Sequence, residues 1–329
     1  MLVVHGDGQL EDAHVRDLPR FLGRGDHMVF NDTRVIPAAL NGVRPARDAV
    51  GSDVQVDINL VGQVSETDWL ALARPGKRLK SGDEIRIAEG LSVDILEKRP
   101  DGELLLRFSK SGPALDAAIE ASGSMPLPPY IARRRPADAQ DRETYQTSFA
   151  SDDAKSVAAP TAGLHFTPRL LGAIAAAGIN CKQVRLHVGL GTFAPLKPEQ
   201  IESGKLHEEW RQVTPGVANA LNSARSEGHK CVAVGTTALR TLESCARPDG
   251  VIEPATGPTD IFLKPGYAFR ATDALVTNFH LPKSSLFMLV CALIGTDIMQ
   301  AAYAHAIENK YRFYSYGDAC FIERADLSS

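Results

Sequence analysis

The chain has few cysteines and uses them in no pattern. Five occur in 329 residues, at positions 181, 231, 245, 291 and 320, and none forms a CxxC pair. Zinc ribbons and disulfide frameworks need clustered thiols, so neither is expected, and a reducing cytoplasm is the compartment this usage fits. Net charge is small. Lys and Arg total 36 against 40 Asp and Glu, a balance of −4, with a pI near 6.2. That excludes a general coat for polyanions, whose affinity comes from clustered cations, but leaves room for a local basic track. No apolar run reaches 18 residues and no basic segment leads into an apolar one at the start, so neither a membrane span nor an export signal is expected. Aromatics are only 6%, with two tryptophans, and there is no internal repeat or low-complexity tract. What is present is 44% hydrophobic and 23% charged residues, ordinary for a globular protein. The length suggests two domains, one set within the other.

The rhythm of the chain changes twice. MLVV at the start is strand-like, and Met28–Val29–Phe30 read as a buried strand followed by a polar turn at Asn31–Asp32–Thr33. From residue 41 to 125 short strands alternate with turns. In DVQVDINLVG, Val54, Val56, Ile58 and Leu60 share one face while Gln55, Asp57 and Asn59 share the other. RPGK, AEGL and RPDG separate the strands that follow. This predicts an inserted all-β, barrel-like domain at 41–125. Residues 1–40 and 126–329 would then form a discontinuous α/β domain. In its second part Thr167–Pro168 reads as a helix start and Gly178 as its stop. KCVAV is a strand, GTT a tight turn, ALRTLES a helix; Ser284 or Ser285 caps LFMLVCALIG, and 297–309 is the last helix. Such alternation predicts a mostly parallel sheet with its site in the loops at strand C-termini.

Those loops share an odd composition: NDTR, APTAGLHF, LHVGLGTF, VGTT, TNFHLP and YSYGD. Each mixes small or hydrogen-bonding residues with a histidine, an aromatic or a carboxylate. A single histidine in an apolar segment is more often a satisfied core residue than a catalytic one. One GxG, Gly189 and Gly191, lacks the dinucleotide fingerprint. Arg133, Arg134 and Arg135 alone read as a solvated face. Accumulation shifts the balance, since His165, His187, His207 and His280 all fall at or near predicted loop mouths, and Asp32 and Asp318 sit in similar turns at opposite ends of the chain.

The segments VFNDTRVIPA, MPLPPYIARR, DRETYQTSFA, VAAPTAGLHFT, LHVGLGTFAP, GTTALRTLES, DALVTNFHLPKSSLFMLV and YRFYSYGDACFI resemble, in order and over nearly the whole chain, the S-adenosylmethionine:tRNA ribosyltransferase-isomerase family of queuosine synthesis. PTAGLHF and TNFHLPKS together are its most specific part. The resemblance implies an α/β domain with an inserted β-barrel. It also implies transfer of the ribosyl portion of S-adenosylmethionine to the 7-aminomethyl-7-deazaguanine base of a tRNA anticodon, with rearrangement to an epoxycyclopentane and release of adenine and methionine. S-adenosylmethionine would be a co-substrate; no metal or other cofactor is expected, and the protein would act as a cytoplasmic monomer away from membranes. Three positions depart from the family's usual pattern. The sequence opens at MLVV, within a region where members carry an earlier segment; Gly204 stands where they have a histidine ahead of His207 and Glu209; and Lys155 replaces a glycine.

A sulfonium is a fixed cation that is held by aromatic faces and oxygens. Phe166, Phe193, Phe279 and Tyr316 are candidates for the former. The charge acidifies the neighbouring C5′–H, and departure of adenine calls for a proton donor near the purine. His165 and His280 are the leading acid–base candidates, His187 and His207 the next. Asp32, Arg34 and Asp318 could orient ribose, amine or methionine groups. Thr33, Thr161, Gly163, Gly189, Gly191, Thr192, Glu209, Thr236, Thr237 and Asn278 complete the expected binding set. For tRNA the cationic candidates are Arg133, Arg134, Arg135 and Arg142, and on the β domain Lys77 and Arg78 with Arg74 and Lys80. Two other readings stand beside this one: a non-catalytic relative that binds tRNA or S-adenosylmethionine, suggested by the start and Gly204, and a glycosyl- or methyltransferase for a small molecule.

Overall fold

The computed structural model describes residues 1–100, 102–132, 135, 137–188, 196 and 198–325. The chain divides into two compact units. One comprises Met1–Thr33, Thr147–Ala154 and Pro160–Ser329, the other Arg34–Gln146 and Lys155–Ala159. In chain order the strands are β1 (Leu2–Val4), β2 (Leu10–Asp12), β3 (His27–Asn31), β4 (Thr33–Val35), β5 (Ala39–Arg44), β6 (Val54–Gln63), β7 (Asp68–Arg74), β8 (Glu84–Ala88), β9 (Leu91–Lys98), β10 (Leu104–Phe108) and β11 (Ser151–Ser156), then β12 (Asn180–Leu186), β13 (Lys205–Val213), β14 (Cys231–Val234), β15 (Ala255–Ile261), β16 (Ala274–Asn278) and β17 (Ala319–Glu323). The helices are α1 (Gly112–Ser122), α2 (Pro129–Ala132), α3 (Asp141–Thr144), α4 (Pro168–Ala176), α5 (Pro198–Ser203), α6 (Pro215–Ser226), α7 (Gly235–Glu243), α8 (Ser285–Ile294) and α9 (Thr296–Glu308).

The first unit is built on a nine-stranded sheet of order β15-β13-β12-β3-β14-β16-β17-β1-β2. Its central strands are apolar on both faces. Val29 of β3 and Cys231 and Ala233 of β14 enter one core layer, with α6, α7, α8 and α9. Met28, Phe30, Val232 and Val234 enter the other, with α4. Alternating side chains of a strand covered on both sides produce this division. The expectation of a mostly parallel sheet holds at the centre and for one outer pair, β17 with β1. β12, β3, β14 and β16 are parallel neighbours, but β17 is antiparallel to β16, and β13 is antiparallel to β12 and β15. One crossover helix returns a chain to the end of the sheet where the previous strand began. Between β16 and β17 there are two, α8 and α9, bent by 113°, so β17 enters beside β16 from the opposite end and runs antiparallel to it. Among the described residues no single helix is long and apolar enough to cross a membrane.

Helix starts follow their local signals. The Thr167 hydroxyl accepts the Leu170 amide ahead of Pro168, and Leu170 and Ile174 bury one face of α4; burial of such a side chain contributes about 2 kcal/mol. Ser284 caps α8 in the same way, through the Phe287 amide. GTT, read as a turn, is instead the first turn of α7, which begins at Gly235.

The second unit contains a closed barrel, β10-β7-β6-β5-β8-β9, antiparallel throughout. Val54, Val56, Ile58 and Leu60 are buried in it, as the period-two alternation predicts. Helix α1 is not legible in the sequence. Only Leu115 and Ile119 are buried, an i,i+4 pair in an alanine-rich segment, too few anchors to define a period.

Candidate active site

The loop APTAGLHF lies at the C-terminal end of β16. Pro160 leads into a 3₁₀ turn, Thr161–His165, closed by the Gly163 amide donating to the Pro160 carbonyl at 2.8 Å and the Phe166 amide to Gly163 at 3.1 Å. Gly163 is required by close approach: a Cβ there would lie 2.7 Å from Phe149 Cζ and 2.8 Å from Thr147 Cγ2. Phe166 fixes the far end, packed edge-on against Phe30 at 5.0 Å, with its carbonyl accepting from Ser148 at 2.8 Å. This turn aims the half-buried His165 at Asn278, the last residue of β16. The Thr161 hydroxyl donates to Asn278 Oδ1 at 3.1 Å, so the amide nitrogen faces His165 Nε2 at 3.2 Å. With the amide so oriented its N–H donates, Nε2 accepts and the ring proton sits on Nδ1.

β17 brings in the carboxylate. Ala319 is opposite Asn278 in the ladder, so Asp318 stands at the same sheet edge. Burial depresses the His165 proton affinity, and the Asp318 charge opposes it without reversing it, so the ring stays neutral near pH 7. For Asp318 itself burial acts upward, but the Arg312 guanidinium, at 3.0 Å, and the Arg312 amide, at 2.7 Å, outweigh it and hold the carboxyl below its usual range. The start of α7 adjoins the turn, since a Cβ on Gly235 would lie 3.6 Å from Ala162 Cβ. Thr236 and Thr237 are buried in its first turn. Thr161, His165, Asn278, Asp318 and the α7 start thus converge.

A second group lies at the ends of β3 and β12. Asp32 is gripped by Arg185 through both oxygens, at 3.0 and 2.8 Å. His187 packs tilted against Trp210, ring centres 4.8 Å apart; burial first, then Arg185, lowers its proton affinity, with Asp32 opposing. A cleft of about 630 Å³ runs beside this pair, lined among others by Asp32, Arg185, Gln183, Gln212, Phe149 and Leu171.

Other candidates are held elsewhere. His280 Nε2 meets the Thr277 hydroxyl at 2.9 Å, and its amide donates to the Tyr303 hydroxyl at 2.7 Å. Thr277 and Asn278 are consecutive residues of a strand and point to opposite faces, so His280 and His165 are held on opposite sides of β16. Burial lowers His280 to about 4. His207 is exposed on β13 rather than at a loop mouth, because the segment after Gly204 pairs as a strand with β15. Gly204 itself, at φ 67°, ends α5 in the left-handed conformation that favours glycine. Glu209 is buried and paired with Arg240 of α7. Phe166 and Phe279, candidates for an open aromatic face, are core residues at 2% and 1% exposure; Tyr316 is half-buried. Thr33 is buried, whereas Arg34 is exposed and belongs to the barrel unit. Gly189, Gly191, Thr192, Phe193, Arg133 and Arg134 lie outside the described residues. Arg135 and Arg142, expected to offer free charge, are engaged with carboxylates of their own unit, while Lys77 and Arg78 are exposed on the barrel. Among the described residues no cluster of three or more His, Cys, Asp or Glu is arranged to hold a metal ion.

Sequence reasoning missed Arg185, Arg240, Thr277 and Tyr303. For Arg185 a signal existed: in VRLHV it alternates onto the face of His187, and a cation inside a buried strand needs a carboxylate.

Comparison with known proteins follows the same pattern. A family model described as queuosine biosynthesis protein matches residues 1–322. A protein of Hyphomonas neptunium described as S-adenosylmethionine:tRNA ribosyltransferase-isomerase is 68% identical over 322 residues, covering 98% of this chain and 92% of the relative. One from Maricaulis maris with the same description is 54% identical over 325 residues, with 98% and 92% covered. The crystal structure of S-adenosylmethionine tRNA ribosyltransferase from Thermotoga maritima is similar with a TM-score of 0.51 at 33% identity, over 98% of this chain and 91% of that one.

Proposed function

Because the chain belongs to the queuosine biosynthesis protein family, we infer that it is an enzyme with the activity its relatives are named for: it transfers the ribosyl portion of S-adenosylmethionine to tRNA and isomerises it. The acceptor on this reading is the amine of 7-aminomethyl-7-deazaguanine in the anticodon. The product is epoxyqueuosine, and adenine and methionine leave. The observation that carries the reading is the Thr161–Asn278–His165 chain with Asp318 beside it, built from the two most specific segments of the family pattern.

The chemistry follows from what these groups can do. The amine forms a carbon–nitrogen bond to C1′ and loses a proton, while adenine departs with the electrons of the glycosidic bond and takes up a proton. C5′ loses a proton and forms a carbon–carbon bond to C1′ as the ring oxygen leaves that carbon, and the same oxygen bonds C5′ to close the epoxide as methionine departs with the electrons of the carbon–sulfur bond. Charge builds on the purine as it leaves. A neutral imidazole with its proton on Nδ1 is suited to donate a hydrogen bond there. It is less suited to removing the C5′ proton, because Nε2 already accepts from Asn278. Positioning of the amine against the sugar supplies much of the remaining acceleration. Asp32, oriented by Arg185 beside the cleft, is the second polar group assigned to substrate. The steps balance with proton transfers alone, so S-adenosylmethionine enters as co-substrate and the proposal includes no metal or other cofactor. The enzyme is taken to work as a cytoplasmic monomer.

Adenine release from S-adenosylmethionine, assayed with and without tRNA carrying the deazaguanine, tests this. Adenine and methionine in equal amounts, dependent on that tRNA, are expected. S-adenosylhomocysteine as product would make the protein a methyltransferase, and binding without release of either product would make it a non-catalytic relative.

A further inference from the structure

Of the two basic stretches in the barrel unit, the described cations of one, Arg135 and Arg142, are engaged internally. Arg135 donates to both oxygens of Asp141, at 2.6 and 2.7 Å, and Arg142 to Glu120 at 2.6 Å and to the carbonyls of Glu120 and Gly123 at 3.0 Å. The stretch after β7 is built differently. The Arg78 amide donates to Pro75 at 3.0 Å and the Leu79 amide to Gly76 at 3.2 Å, closing a tight turn, and Leu79, 1% exposed, anchors it in the barrel core. Two further cations bind the turn's own backbone. Lys98 Nζ donates to the carbonyls of Gly76, at 2.7 Å, and Leu79, at 3.2 Å, and Arg47 to that of Arg78 at 2.9 Å. The nearby buried acid, Asp83, is neutralised by Arg47 at 2.7 and 2.6 Å and accepts the Lys80 amide at 2.8 Å. The side chains of Arg74, Lys77, Arg78 and Lys80 are exposed and make no hydrogen bond or ion pair among the described residues. Asp57, opposite Arg74 in the β6–β7 ladder, is the one acid set directly against this run by strand pairing.

The result is a rigid backbone carrying four unpaired cations within seven residues, on a protein whose net charge is −4. Holding the turn with Lys98 and Arg47 removes the entropy cost that a mobile basic loop would incur on binding. We propose that this rim of the barrel docks the phosphate backbone of the tRNA. The proposal rests on the reading that tRNA is the substrate. Phosphate contacts position a nucleic acid without reading its sequence, so the rim serves affinity and orientation rather than choice of base.

The test is tRNA binding by the full-length protein across a salt series, comparing wild type with Lys77→Gln/Arg78→Gln. Each lost phosphate contact should reduce the slope of log affinity against log salt by about 0.7–0.9. The double variant should therefore bind about tenfold or more weakly at low salt, converge on wild type at high salt, and show a slope smaller by about 1–2. Because these side chains make no hydrogen bond or ion pair among the described residues, the urea midpoint should not move; Arg135→Gln, by contrast, should lower it. Wild type that binds tRNA and releases adenine, beside a variant with the same affinity and slope, overturns the rim proposal alone. Wild type that does neither overturns the functional reading. Loss of binding to anionic lipid vesicles with tRNA binding intact would assign the rim to a membrane surface and also overturn the proposal.

Discussion

Replacing Arg240 by methionine separates two roles open to Glu209, which the sequence places among substrate-binding residues and the structure places in an ion pair. The two side chains are 6% and 4% exposed and join β13 to α7. Removing one partner strips the other buried charge of its counter-ion, which typically costs about 3–5 kcal/mol. That is a large share of the roughly 5–15 kcal/mol that holds a native protein together. Among the described residues the Arg240 guanidinium is incompletely satisfied, its Nε and Nη2 finding no hydrogen-bond partner, each such donor costing about 1–3 kcal/mol. A buried pair of this kind is expensive to keep and expensive to break. Arg240→Met and Glu209→Met should therefore each lower stability by about 3–5 kcal/mol, while the double variant loses at least about 2 kcal/mol less than their sum. Urea unfolding followed by circular dichroism reads this, provided the slope with denaturant is unchanged. Additive losses would refute the pairing. A Glu209→Gln protein with an unmoved midpoint but no adenine release would return Glu209 to the substrate site.

Three further outcomes follow from the geometry. His165→Gln keeps a group for Asn278 to bond but removes the ring donor; adenine release should fall about a hundredfold with the urea midpoint nearly unchanged, and unaltered turnover would remove His165 from the mechanism. Gly163→Ala forces a methyl group against Phe149 and Thr147, so it should cost about 1–3 kcal/mol and reduce turnover by displacing His165; equal stability and rate would show that the turn tolerates the atom. His280 falls from 6.5 to about 4 on burial, so the unfolded chain binds a proton that the native state refuses. Its contribution, on the order of 3 kcal/mol, is complete above pH 6.5 and lost as pH falls toward 4. His27, His165 and His187 shift the same way, so His280→Asn should flatten only part of the acid limb, and a limb unchanged by the substitution would refute the assignment.

Local chemistry was enough to place much of this molecule from its sequence. The period-two run at Val54–Leu60 forms a barrel strand because its apolar residues can only be buried on one side. Thr167 and Ser284 cap helices because a hydroxyl ahead of a helix satisfies an amide that has no partner within it. The segments carrying His165 and Asn278 could be singled out by composition and family pattern, and the structure brings them within hydrogen-bond distance. What the sequence could not decide depends on contacts between distant segments. His165 and His280 look equivalent along the chain, yet adjacent residues of β16 send them to opposite faces, a distinction set by strand register. Arg135 and Lys77 are both basic residues in basic runs; only folding brings Asp141 to the first and, among the described residues, no acid to the second. Glu209 is paired by Arg240, which arrives from a helix 31 positions away. Helix caps and strand periods act over a few residues, whereas the fate of a charge depends on which partner the completed fold delivers to it.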